Sequence, residues 1–283
     1  MNYWDAINNI AMLNSHNLHY DCYSNSNYVQ KCFTKKVQKM ETIIKILKWI
    51  VDILVRSKKE PELISQESKK LLWYPGAIIK DFGVITRGTY LNAYPEGAIV
   101  HYTAGRNSTW YDAITSGAWL GKQGNGAFVI ANDGRVIQSF PLDKWAYHAG
   151  VSYHDLVGKS VSSKLVGIEV CCGGLLTEKN GKFYTWFDKE VMEENRVYST
   201  NALTPGWYEK FTPEQEKALW DLLLWLKENN PDIFSLDKVL GHECVAIPKG
   251  RKQDPGGSIE YPMPIYRKML NVEYSNRASI KKT

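Results

Sequence analysis

The chain has 283 residues, 44% of them hydrophobic, which is enough to bury one sizeable core with an appendage. Its formal charge of +5 favours approach to anionic polymers but is too mild to argue for nucleic acid, and no basic stripe interleaved with aromatics supports that partner. Five cysteines, two of them adjacent as Cys171-Cys172, form no tidy disulfide framework in a chain of this size, so reduced synthesis in a cytoplasm is expected.

The opening Met1-Asn2-Tyr3-Trp4-Asp5 lacks a positively charged start followed by an apolar stretch, so no secretory signal is expected there. Residues 14–27 are rich in Asn, Ser, His and Tyr and read as irregular; His16 and His19 are too isolated to suggest a metal. From Val37 to Arg56 the pattern turns helical. Lys45, Lys48 and Asp52 form a polar stripe, while Ile43, Ile44, Leu47, Ile50, Val51 and Leu54 fill the remainder. This helix is too short and too charged to span a bilayer, which takes about 20 apolar residues. It must bury its face on the rest of the chain, on a second copy, or on a membrane or wall surface. Ser57 to Lys70 reads as a polar connector.

The remainder alternates as an α/β domain should, with a mixed central β-sheet flanked by helices. Ala98-Ile99-Val100 reads as a strand closed by His101, and Asn107 or Ser108 is expected to cap a helix running to about Leu120. Residues 127–130 and 135–138 flank Asn132-Asp133-Gly134, a hairpin signal. Leu165-Val166-Gly167-Ile168-Glu169-Val170 reads as a buried strand. Gly173 to Gly206 is longer than a plain connection, and residues 181–186 within it either line a substrate groove or simply pack. Thr212-Pro213-Glu214-Gln215 is a capping box with proline at the first helical position, opening a helix to about Asn229. Val239-Leu240-Gly241 is a second strand closed by a histidine, His242, and a final helix is expected near Pro264 to Leu270. The expected divisions are a helical N-terminal extension at 1–72, a catalytic domain at 73–272 and a basic tail at 273–283, frayed from Arg277.

Two histidines at strand ends, with Asp254 beyond them in Lys252-Gln253-Asp254-Pro255-Gly256, suggest a zinc site. Imidazole and carboxylate suit Zn2+, and three protein ligands leave one tetrahedral position open for chemistry. Pro255 restrains Asp254. Cys244 is the rival third ligand, since the interval from His242 to Asp254 is long. Glu169 is a carboxylate in an apolar strand, where burial demands a partner or a function, and it suits a proton shuttle beside an activated water. Lys252 either stabilises an oxyanion or is a solvated loop lysine.

Val100-His101-Tyr102-Thr103-Ala104, Ala146-Tyr147-His148-Ala149-Gly150, Gly167-Ile168-Glu169, Gly241-His242-Glu243 and Lys252-Gln253-Asp254-Pro255-Gly256 occur in an order that resembles the type-2 amidases. These are zinc-dependent N-acetylmuramoyl-L-alanine amidases that share a fold with peptidoglycan recognition proteins. The resemblance covers roughly residues 75 to 272. It implies hydrolysis of the amide between N-acetylmuramic acid and the L-alanine of the stem peptide. His101, His242 and Asp254 would hold the metal, Glu169 would act as general base and acid, and Lys252 would contact the oxyanion. His148 and Tyr147 would lie beside the substrate. Some relatives carry a tyrosine near the metal where this chain has Gly124-Asn125-Gly126-Ala127-Phe128, so no catalytic tyrosine is expected there. A phage-type lysin, delivered to the wall without a signal peptide, fits the resemblance. A module that binds muropeptide without cutting it, and a cytosolic amidase recycling soluble muropeptides, are the alternatives.

Overall fold

The computed structural model describes residues 71–123 and 126–280. The N-terminal extension, with its amphipathic stretch at 37–56, lies outside the described residues up to residue 70. Six strands form the main sheet: β1 (Ala77–Ile79), β2 (Gly97–Tyr102), β3 (Phe128–Ile130), β4 (Val136–Gln138), β5 (Leu165–Val170) and β6 (Val239–Gly241). Their spatial order is β1-β4-β3-β5-β2-β6. Only the β3–β4 hairpin is antiparallel; every other neighbouring pair is parallel. The architecture is therefore the expected mixed α/β one.

Parallel strands need cover on both faces, and this explains the near-continuous apolar runs of β2 and β5. Alternation along the strands divides the core. Ala98, Val100, Val166, Ile168, Phe128 and Ile130 face two long helices, α2 (Pro213–Asn229) and α3 (Met263–Ile280), through Leu219, Leu223, Leu226, Tyr266 and Leu270. Ile99, Leu165 and Leu240 on the opposite face pack on Ala149, Val157 and Val161. Farther along that face Val129 and Ile137 meet Ala113 of helix α1 (Trp110–Gln123). His101 and Glu169 share the parity of Ile99 and Leu165, so both project from this second face.

The capping box of α2 is as the sequence predicts: Gln215 N–H donates to Thr212 Oγ1 at 3.1 Å, and Thr212 N–H donates to Gln215 Oε1 at 3.0 Å. The start of α1 is not. Thr109, rather than Asn107 or Ser108, pairs with Asp112 (Asp112 N–H to Thr109 Oγ1, 3.2 Å; Thr109 N–H to Asp112 Oδ2, 2.8 Å). Asn107 is instead buried and accepts a hydrogen bond from Lys189 at 2.8 Å. Helix α3, expected to end near Leu270, continues to Ile280, so residues 273–280 of the expected basic tail are helical. An Arg277–Glu273 pair one turn apart supports the extension.

The long insertion after β5 holds two hairpins, Thr177–Lys179 with Lys182–Tyr184 and Arg196–Ser199 with Gly206–Glu209. Phe183, Leu176 and Val191 form a small core of their own with Trp207 against it. Of the segment at 181–186, Phe183 therefore serves packing, while Trp186 is 71% exposed and donates its indole N–H to the Ala104 carbonyl.

One half-buried acid gives the fold a pH dependence. Burial pushes the Glu216 carboxyl from its usual 4.5 up to about 8; the backbone hydrogen bond from Glu260 N–H opposes this and the Glu260 charge adds to it. Between those values the folded state keeps a proton that the unfolded state releases, so stability falls as pH rises through the window. Glu216→Gln is expected to exceed the wild type in stability at about pH 8.5, by on the order of 1 kcal/mol, with the gap closing below about pH 4.5. Urea melts at the two pH values check this; a gap that does not change with pH refutes it.

Candidate metal centre

The strand register assembles the site. His101 stands opposite Glu169 on the adjacent parallel strand. Gly241 pairs with Val100, so His242, one residue further on, emerges level with His101. Gly126, on the approach to β3, leaves the space that Glu169 occupies; a Cβ there would come within 3.1 Å of Glu169 Cγ. Beyond His242 a single helical turn and a loop return the chain, and Glu243 N–H donates to the Asp254 carbonyl at 2.8 Å, pinning the loop beside the strand end.

Three ligand atoms converge as a result. His101 Nδ1 lies 2.9 Å from His242 Nδ1 and 2.8 Å from Asp254 Oδ2, and His242 Nδ1 lies 2.9 Å from the same oxygen. All three residues are buried. Cys244 is not among the converging groups, which leaves Asp254 as the third member of the cluster. Glu169 is buried beside it, and the positive charge of Lys252 acts on both Glu169 and His101. His148 is also buried, with Nδ1 3.0 Å from His101 Nε2 and Nε2 2.9 Å from the Leu165 carbonyl. Tyr147, the next residue back, turns outward instead; it is 52% exposed, edge-on to Trp145 with Arg87 over its ring.

A family model for N-acetylmuramoyl-L-alanine amidase matches residues 91–257, a span that begins before β2 and ends just past Asp254. The chain belongs to that family. Its activity is that of an N-acetylmuramoyl-L-alanine amidase. No curated protein matches the chain. Solved structures similar to this amidase include a selenomethionine derivative of AmpD (21% identity, 70% of this chain and 96% of that one, TM-score 0.45). The endolysin amidase LysCS from Clostridium intestinale URNW is 16% identical, covering 71% of this chain and 98% of its own, with a TM-score of 0.42. The Staphylococcus aureus hydrolase AmiA, solved with its ligand, is 16% identical, covering 74% and 87%, with a TM-score of 0.45.

The donor set of the amidase suits a divalent cation. His242 Nε2 faces the Ala149 carbonyl at 3.2 Å, and a carbonyl only accepts, so the ring hydrogen sits on Nε2 and the Nδ1 lone pair faces the Asp254 carboxylate. Two acceptors 2.9 Å apart repel each other unless a cation or a proton lies between them. Two buried imidazoles and a buried carboxylate match the preference of zinc.

The site also separates its acids. Burial acts to raise the Asp254 carboxyl, but positive charge shared with His101 and His242 at its Oδ2 outweighs it and holds the group well below the usual carboxylate range. Glu169 goes the other way: burial pushes it well above that range, the Asp254 charge adds to the effect, and Lys252 opposes it. His101 is pushed down to about 4 by burial first and then by His242, against the pull of Asp254. One carboxylate is thus kept ionised as a candidate ligand while its neighbour is able to hold a proton.

Sequence reasoning missed part of the surroundings. Ser162 Oγ accepts from both His148 N–H and Ala149 N–H, at 3.1 and 3.0 Å. Arg251 donates to the carbonyls of Ala149, Val151 and Ile247 and so braces the loop that carries Lys252. Nothing in the sequence around Ser162 signals its partners. Gly167 was a usable signal, because a glycine in an otherwise apolar strand marks a close approach, here that of the His148 ring.

Proposed function

We propose that this amidase is zinc-dependent and degrades cell-wall peptidoglycan, cutting between the lactyl group of N-acetylmuramic acid and the L-alanine that opens the stem peptide. The convergence of His101 Nδ1, His242 Nδ1 and Asp254 Oδ2, with Glu169 in register beside them, carries this reading. His101, His242 and Asp254 hold the ion. When bound, zinc supplies a Lewis acid that polarises the scissile carbonyl and brings the pKa of a water towards about 7.

Glu169 takes a proton from the attacking water as its oxygen bonds to the carbonyl carbon. It then delivers that proton to the amide nitrogen of L-alanine as the C–N bond breaks, leaving a free amine on the peptide and a carboxylic acid on the lactyl group, which releases its remaining proton to solvent. The raised affinity of Glu169 for a proton fits the second half of this exchange, in which it holds a proton and delivers it. Lys252 supports the oxygen that gains charge in between. Tyr147 and Trp145 present an aromatic surface beside the site where a sugar or peptide can lie.

Wall degradation by a phage-type lysin is favoured over recycling because a long stretch of chain precedes the matched family region. The test compares release of stem peptides from whole sacculi with cleavage of a soluble anhydro-muropeptide. A wall lysin is expected to act on sacculi and to stop after chelation, with zinc restoring it. Cleavage of the soluble fragment alone would make it a recycling enzyme, and activity that resists exhaustive chelation would remove zinc from the proposal.

A further inference from the structure

His148 and Ala149 are consecutive residues, and each meets the outer nitrogen of a different histidine of the cluster. The Ala149 carbonyl faces His242 Nε2 at 3.2 Å, while the His148 ring bridges His101 Nε2, at 3.0 Å, and the Leu165 carbonyl, at 2.9 Å. The Leu165 carbonyl has no hydrogen to give, so His148 Nε2 must donate to it. A neutral imidazole has one ring hydrogen, which leaves His148 Nδ1 as an acceptor and obliges His101 Nε2 to donate. The lone pair of His101 then sits on Nδ1, the atom that faces His242 and Asp254. One carbonyl in β5 therefore sets the hydrogen positions along two rings, and the adjacent peptide does the same for His242.

The segment is itself fixed. Ser162, buried in a 3-10 turn, accepts from both of its backbone N–H groups. Gly167 makes room for the ring on β5; a Cβ there would meet His148 Cγ at 2.8 Å and Nδ1 at 3.0 Å. We infer that His148-Ala149 is a tautomer lock for both ligand histidines, and that His148 and Ser162 are positioning residues rather than substrate contacts. This rests on the reading of His101, His242 and Asp254 as metal ligands. It assigns His148 a structural partner in place of the substrate-side role implied by family resemblance.

The lock is read in the wild-type protein by long-range 1H–15N NMR of the histidine rings, with and without zinc. The expected result is His148 protonated on Nε2 and bare on Nδ1 in both forms; a hydrogen on Nδ1 overturns the inference. Zinc affinity, measured by competition with a chromophoric chelator, is expected to fall roughly 10–100-fold in Ser162→Ala and in His148→Phe, the usual loss when a partner behind a metal ligand is removed. Asp254→Ala separates the two levels. If it binds zinc as tightly as the wild type, the ligand reading fails. If it loses zinc while folded Ser162→Ala and His148→Phe bind as the wild type does, the ligand reading stands and the lock is refuted.

Discussion

Glu169→Gln is expected to slow amide hydrolysis roughly 10²–10⁴-fold, the range typical of losing a positioned general acid–base, while leaving the zinc content unchanged. The substitution is nearly isosteric and keeps the buried strand packing, but an amide can neither accept the water proton nor deliver it to the leaving nitrogen. The residue stands across from His101 in the parallel ladder, and burial raises its affinity for a proton without making it part of the ligand cluster. A defect confined to kcat is therefore expected, with wild-type thermal stability or slightly better, because a buried ionisable group has been removed. Muropeptide release followed by chromatography, alongside metal analysis of the same preparation, checks both halves. A variant that retains more than about a tenth of the wild-type rate would exclude Glu169 as the proton shuttle.

Asp254→Ala is expected to remove both the metal and the activity. With three proposed protein ligands the site would have none to spare, and two histidines alone would leave a weak, open pair. A Lewis acid contributes several kcal/mol to the reaction barrier, so its loss corresponds to a rate drop of roughly 10³-fold or more. Adding excess zinc is not expected to rescue the variant, in contrast to chelated wild type. Cys244→Ser provides the control: its side chain lies outside the converging cluster, so zinc stoichiometry and rate should match the wild type. If Cys244→Ser lost the metal and Asp254→Ala kept it, the assignment of the third ligand would be reversed.

The sequence alone determined the elements whose signals are local. The β3–β4 hairpin around Asn132-Asp133-Gly134, the capping box at Thr212 and the apolar strands that carry His101 and lead into His242 follow from turn chemistry, capping and side-chain period, although β2 runs one residue past His101 and His242 opens a helical turn. The candidate ligands were legible because strand ends are rigid supports and two histidines with an aspartate suit one kind of ion. The cap at Thr109 was not, since Asn107, Ser108 and Thr109 are all competent caps; only the burial of Asn107 against Lys189 removes it from that role. The length of α3 was also hidden, because an ion pair one turn apart carries the helix past its last buried residue, Leu270.

Tertiary structure alone decided how the site is supported. Spacing in the sequence says nothing of which side of a ring meets which neighbour, and His148 could face substrate or core until the strands were paired. Once β5 lies beside β2, Gly167 opens a slot for that ring, the Leu165 carbonyl takes its hydrogen, and Ser162 holds the peptide from a turn fourteen residues away. Residue type and period set which elements form, because those preferences are local. The direction of a hydrogen bond between distant groups depends on the packed geometry of both, and only the folded chain supplies it.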